Sequence, residues 1–149
     1  IKRSVNMLKK IPPILSPELM KVLMQMGHGD EIVIADGNFP SASHNAQVID
    51  CSGHGALELL EAILEFFPLD TYSDDQAVLM QVVAGDEANQ PEIWEDYHQS
   101  LQASPEYAGE LTHMDRFDFY DRTKEAFAVI QTSETALYAN LLLKKGVVN

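Results

Sequence analysis

Apolar positions along this chain recur with two periods, and each change of period marks the edge of an element. Leu19, Val22, Leu23 and Met26 fall at i, i+3, i+4 and i+7, a single helical stripe. Ser16-Pro17-Glu18 starts that helix with a hydroxyl N-cap, proline at the first helical position and an acid in the first turn, and Gly27 ends it as a C′ glycine. Ile32 to Ala35 are consecutively apolar, as a strand covered on both faces would be. Leu57, Leu60, Leu64 and Phe67 predict a helix over 56–67 that Pro68 stops. Pro91 opens another, with Ile93, Tyr97 and Leu101 on one face, and Asp115 begins a short one running to Arg122. Further strands are expected at 47–49, 77–84, 111–114, 127–131 and 141–145, with a loop from Asp36 to Asn45 and turns over 50–55 and 132–134. Buried strands alternating with amphipathic helices imply an α/β fold, a three-layer α/β/α arrangement with helices on both faces of a central sheet. Residues 1–7 read as a loose lead-in and 8–149 as one domain.

Charge narrows the range of partners. Ten Lys and Arg stand against 23 Asp and Glu, a net charge of -13, and no cation occurs between Lys21 and Arg116. Such a surface repels phosphate backbones and anionic membranes, so neither a nucleic-acid partner nor a membrane is expected, and a neutral or cationic ligand fits better. The single cysteine, Cys51, forms no intramolecular disulfide and no cysteine metal cluster, as in a protein of a reducing compartment. Ile1-Lys2-Arg3 is basic but no apolar run follows it, and no segment is long and apolar enough to span a bilayer, so a cytoplasmic protein is expected.

Several chemistries lack their motifs. There is no G-x-x-x-x-G-K-[ST] loop, no G-x-G-x-x-G after a strand and no G-x-S-x-G elbow. The remaining polar candidates are His28, Asp36, Arg116, Tyr120, Tyr138 and Asn140. His28 lies between Gly27 and Gly29, where little side-chain bulk surrounds the imidazole, and histidine is the side chain most readily tuned for proton transfer near neutral pH. Asp36 follows the strand, where α/β proteins bind ligands, so imidazole and carboxylate are expected to face one crevice. The plainer readings are a turn histidine bonded to a carbonyl and an aspartate capping its own turn. Arg116, the first cation after a 94-residue gap, either balances Asp115, Asp118 and Asp121 or donates to ligand hydroxyls. His28, Asp30, Asp36, His44 and His54 hold potential metal donors, but no H-x-x-x-H pairing links them, and no metal is assigned. His44 reads as part of a surface connection, His54 as part of a helix cap, and Trp94 as core.

A family resemblance rests on ordered segments: Pro17-Glu18-Leu19, Met26-Gly27-His28-Gly29-Asp30-Glu31-Ile32, Asp36 with Phe39-Pro40, Leu69-Asp70-Thr71-Tyr72, Arg116-Phe117-Asp118-Phe119-Tyr120 and Tyr138-Ala139-Asn140 through Val147. Together they resemble the L-fucose mutarotase and D-ribose pyranase family from about Met7 to Val148. The resemblance implies a ribose pyranase-like fold, His28 as general acid/base, Asp36 and Arg116 as sugar-binding groups, and Tyr138, Ala139 and Asn140 as a binding segment. It also implies ring-like homo-oligomers, decamers in several bacterial members, in which a subunit boundary can complete the pocket. Arg116 and the Phe-x-Phe-Tyr run resemble the fucose branch, whereas the ribose branch tends to carry histidine at the arginine position. Two positions depart from the pattern: Asn38 stands where some bacterial fucose mutarotases have histidine, and Ala139 replaces the glycine of their Tyr-Gly-Asn.

The function expected from this resemblance is interconversion of the α and β anomers of L-fucose. The alternatives are pyranose/furanose exchange of D-ribose and a module that binds monosaccharides without turning them over. Anomer exchange requires proton transfers only, so no cofactor is called for.

Overall fold

The computed structural model describes residues 7–87 and 90–149. Its elements in chain order are α1 (Pro17–Gln25), β1 (Glu31–Ala35), α2 (Ser41–His44), β2 (Val48–Cys51), α3 (Ala56–Leu64), β3 (Ala77–Met80), α4 (Ile93–Leu101), β4 (Thr112–Met114), α5 (Arg116–Glu125), β5 (Ala128–Thr132) and β6 (Leu141–Lys144). The strands form one sheet in the order β2-β5-β1-β6-β3-β4. All pairings are parallel except those of β6, which runs against β1 on one side and β3 on the other.

Strand side chains sort by alternation into two layers, as the period of two requires. Ile32, Ile34, Ala128, Ile130, Leu141 and Leu143 pack under α1, α3 and α4 with Leu19, Leu60, Ile63 and Tyr97. Val33, Ala35, Val78, Val129 and Leu142 face the other way, against Phe39 and Phe119. That second layer is thinner, being covered by α5 with α2 beside it. The expected three-layer architecture is therefore present, with the central strands buried on both faces.

Local chemistry fixes the element ends. Ser16 Oγ accepts from Leu19 N–H at 3.1 Å, and Asp115 Oδ1 accepts from Asp118 N–H at 3.1 Å, each an N-cap. Gly27 does not take the left-handed C′ conformation; Gly29 does, at φ 88. The expected strand 77–84 stops at Met80. Gln81 N–H makes the last bond to this neighbour, at Met114 O (2.7 Å), and β4 then gives way to the cap of α5, leaving Val82 and Val83 no strand to pair with among the described residues. β2 runs on to Cys51, because Asp50 and Cys51 find partners in Gln131 and Thr132. α3 ends at Leu64, short of Phe67, α5 continues to Glu125, and the loop after Asp36 contains the single turn α2. Of the expected lead-in, residues 1–6 lie outside the described residues; Met7 and Leu8 are exposed.

Phe119 is fully buried in the thinner layer, so Phe119→Ala should lower stability by about 3–5 kcal/mol, whereas Phe117→Ala on the exposed side of α5 should stay within about 0.5 kcal/mol. Urea midpoints at unchanged slope test this, and equal losses would mean that α5 does not close this layer.

Candidate functional site

The C-terminal ends of β1, β3 and β4 reach the same edge of the sheet as the start of β6, and the polar candidates of four segments meet there. Asp36 leaves β1 with its N–H donating to Asn140 Oδ1 at 2.7 Å, and its own Oδ1 accepts from Asn38 N–H at 3.0 Å, closing a turn. Gln131 Nε2 donates to the Asp36 carbonyl at 2.8 Å, and Ser41 Oγ donates to Gln131 in turn. Burial pushes the Asp36 carboxyl above the usual carboxylate range, and hydrogen bonds from the N–H groups of Asn38, Ala139 and Phe39 and from the Asn140 side chain offset only part of that shift. Asp36 thus caps its turn and also faces the edge.

Tyr138 sits in the left-handed region at φ 55. Its carbonyl accepts from Trp94 Nε1–H at 2.7 Å, and the next carbonyl, that of Ala139, accepts from Tyr97 O–H at 2.7 Å, so α4 pins the segment from behind. Trp94 is core, and its indole N–H supports the site from beneath. The Tyr138 hydroxyl donates to Asp86 Oδ2 at 2.6 Å, which raises the phenol's pKa. Ala139 is fully buried and presents backbone rather than side chain. Arg116, first residue of α5, lies 4.8 Å over the Phe117 ring. Among the described residues it forms no ion pair with Asp115, Asp118 or Asp121, and the guanidinium is left to the cavity beside it. That cavity, about 310 Å³, is lined by Asp36, Asn38, Phe39, Pro40, Met80, Asp86, Arg116, Tyr120, Leu137, Tyr138 and Asn140. Carboxylate, guanidinium, phenol and amide around a partly apolar floor make a set of hydroxyl-binding groups of the size of a small polar ligand.

His28 is not among them. It precedes β1 while Asp36 follows it, and a five-residue strand rising about 3.3 Å per residue holds the two roughly 15–20 Å apart at opposite edges of the sheet. The expectation of one crevice within the chain is corrected accordingly. The partner of His28 is Asp70, whose Oδ1 lies 3.0 Å from Nε2. The same oxygen accepts from Tyr72 N–H at 3.0 Å, and the Tyr72 ring stands 5.4 Å from the imidazole. Burial pushes the Asp70 carboxyl up, but the hydrogen bonds from His28 and Tyr72 and the charges of His28 and Lys144 outweigh it and hold the group below its ordinary value. An ionised carboxylate only accepts, so in the neutral imidazole Nε2 carries the proton, and among the described residues Nδ1 has no hydrogen-bond partner. With the His28 side chain 44% exposed and that of Asp70 6%, the pair is anchored at its back and open at its front. Asp70 had no role assigned from sequence; its signal was its place in the Leu69–Tyr72 segment, 42 residues beyond its partner.

His44 and His54 are held by local partners, with the His44 ring also 4.8 Å from that of the cavity residue Tyr120. His44 Nδ1 bonds the Pro40 carbonyl at 2.8 Å within α2, and His54 Nδ1 lies 3.2 Å from Glu58 at the start of α3. Among the described residues no three His, Cys, Asp or Glu side chains are grouped as metal ligands.

Residues 9–148 match the profile of the RbsD / FucU transport protein family. The chain belongs to this family. Its RbsD / FucU relatives include a fucose mutarotase of Homo sapiens, 46% identical over 145 residues that cover 94% of each chain. Among solved structures the fold matches a fucose mutarotase from Streptococcus pneumoniae in complex with L-fucose, with a TM-score of 0.90 and 49% identity over 95% of this chain and 100% of that one. It matches RbsD of Bacillus subtilis complexed with D-ribose less closely, with a TM-score of 0.69 and 25% identity over 91% and 95% of the two chains.

Because the folded pKa of Asp70 is depressed, its ionised form adds stability that is fully present above the unfolded carboxylate's range, about pH 4, and is lost as pH falls through the lower folded value. Urea titrations should therefore find wild type more stable than Asp70→Asn near neutral pH, with the difference disappearing in acid below about pH 4. A difference that persists there would mean that the carboxyl is not held down by its neighbours.

Proposed function

We propose that this RbsD / FucU member is an L-fucose mutarotase, an isomerase that interconverts the α and β anomers of the free sugar without a cofactor. The observation that carries the reading is the likeness to the Streptococcus pneumoniae fucose mutarotase in complex with L-fucose, at a TM-score of 0.90 against 0.69 for the D-ribose complex. The guanidinium of Arg116 at the cavity supports it, since a planar fork of donors suits adjacent sugar hydroxyls.

In this reading Asp36, Arg116, Tyr138 and Asn140 hold the hydroxyls, the Ala139 backbone completes the binding segment, and His28 moves the proton. Nδ1 of His28 takes the proton of the anomeric hydroxyl as the bond from C1 to the ring oxygen breaks, and the imidazolium so formed hands that proton to the ring oxygen as it leaves. The aldehyde turns about C1–C2, and the freed hydroxyl adds to the other face of the carbonyl while the proton returns to the new anomeric oxygen. Asp70, bonded to Nε2, fixes the tautomer and steadies the imidazolium formed between these transfers.

One sugar cannot touch both edges of one sheet, so His28 of one copy serves the cavity of another, and the protein works as a homo-oligomer. In this reading that assembly is a ring, as the family resemblance implies, with decamers in several bacterial members. Residues 8–149 act as one domain. The working compartment is the cytoplasm, which suits a lone thiol such as Cys51, buried with its pKa pushed up to about 11 by that burial and by Asp50.

Exchange NMR on the anomeric protons of L-fucose and D-ribose tests the activity. His28→Ala should slow fucose exchange on the order of 10²- to 10⁴-fold in a folded protein. Unchanged exchange rejects the role of His28, dominant exchange of ribose ring forms moves the reading to a pyranase, and binding without exchange leaves a sugar-binding module. The shared site makes a second claim: His28→Ala and Arg116→Ala chains, each impaired, should recover part of the activity when unfolded and refolded together. No recovery in mixed assemblies would confine the chemistry to one copy.

A further inference from the structure

His28 and Asp70 belong to different loops, yet both loops are fastened to one short stretch, Lys144 to Gly146, at the end of β6. Gly29 N–H donates to Lys145 O at 2.8 Å, and Lys145 N–H donates to Asp30 O at 2.8 Å, which sets the His28 loop on one side. On the other side Asp70 N–H donates to Lys144 O at 3.1 Å, and Gly146 N–H donates to Pro68 O at 2.8 Å. Lys144 Nζ adds a side-chain tie to Ser73 Oγ at 3.0 Å.

Gly146 stands where the Asp70 loop comes nearest. A Cβ on it would fall 2.8 Å from the Leu69 carbonyl carbon and 2.9 Å from Asp70 Cα, and closer still to the Leu69 oxygen. These are backbone atoms, so no change of rotamer relieves the contact. Nor does conformation explain the residue, because Gly146 is not among the glycines with positive φ. What the position demands is room for another backbone.

We propose that Gly146 is a positioning residue for the reaction: its bare backbone lets the Asp70 loop close on the end of β6 and so sets Asp70 Oδ1 against His28 Nε2. The proposal rests on the mutarotase reading for its effect on rate, but its geometric core does not. A methyl group at 146 moves residues 69–70 off β6 and breaks a contact now 3.0 Å long, while the cavity at the other edge stays intact. Displacement of a catalytic group by about 1 Å costs on the order of 10²-fold in rate.

The test is Gly146→Ala with Ser73→Ala as a milder companion, since the latter removes the Lys144 tie without adding bulk. In wild type the ¹⁵N shifts of His28 should show one dominant neutral tautomer, protonated at Nε2. Gly146→Ala should mix the tautomers and lower kcat for fucose exchange tenfold or more with KM within twofold, and Ser73→Ala should do the same to a smaller degree. Added to Asp70→Asn, Gly146→Ala should cost less than a further twofold, because the contact is already gone. A folded Gly146→Ala with the wild-type tautomer and rate overturns the proposal, as does a rate loss that adds in full to Asp70→Asn. If Gly146→Ala does not fold, wild-type behaviour of Ser73→Ala overturns it and mixed tautomers there support it. The tautomer needs no sugar, so a protein inactive on fucose would sink the mutarotase reading while the positioning of His28 was still decided.

Discussion

β6 lies between β1 and β3 and runs against both, in a sheet whose other pairings are parallel. A parallel strand brings its C-terminal end to the ligand edge; the reversed strand brings its start there and carries its end to the opposite edge. The Tyr138–Asn140 segment of the cavity leads into the start of β6, and the end of that strand runs into the Lys144–Gly146 stretch from which the His28 and Asp70 loops hang. Leu141, Leu142 and Leu143 between them are fully buried, packed alternately into the two layers. A slip of one residue would exchange those faces and displace both functional edges at once. Core packing and site geometry are therefore one constraint.

The cavity edge carries two unfavourable features that its surroundings hold in place. Asp36 is a carboxylate at 7% exposure, ringed by backbone N–H donors and the Asn140 amide. Tyr138 holds a left-handed backbone that a bulky residue seldom adopts, at a typical cost of 1–3 kcal/mol, kept there by indole and phenol donors from α4 on consecutive carbonyls. Both features face the same cavity. A fold that needed only stability would put a glycine at 138 and an uncharged turn residue at 36, so the cost is better explained by what those side chains present.

Much of this was legible in the sequence because the signals were local. The Ser16-Pro17-Glu18 start, the α1 stripe and the apolar run of β1 each act within a few residues, and they correspond to the observed elements. Asp36, Arg116, Tyr138 and Asn140 stood out singly as polar candidates, but their grouping as one sugar-binding set rested on the family resemblance, since nothing local brings residue 36 to residue 140. The errors share one cause, which is that pairing partners are invisible along the chain. Val82 and Val83 look like strand but lack a neighbour, and Asp50-Cys51 looks like a turn but has one. His28 and Asp36 look close because eight positions separate them, yet a strand spends those positions on length. Asp70, far away in sequence, is brought to His28 by β6.

Charge limits how two copies can meet under the shared-site reading. Each chain carries -13, so association is opposed at long range and must draw on apolar contact. Exposed apolar groups lie at both functional edges: Phe117 at 63% and Leu137 at 53% near the cavity, and Tyr72 at 79% beside His28. Such residues cost little singly, but under that reading each set borders a half-site that lacks what the other edge offers. The cavity lining contains no imidazole, and the imidazole is backed by its carboxylate with its front open. Joining the two edges across copies would bury the apolar rims and place the proton carrier over the bound ring, so assembly and catalysis would depend on the same contact.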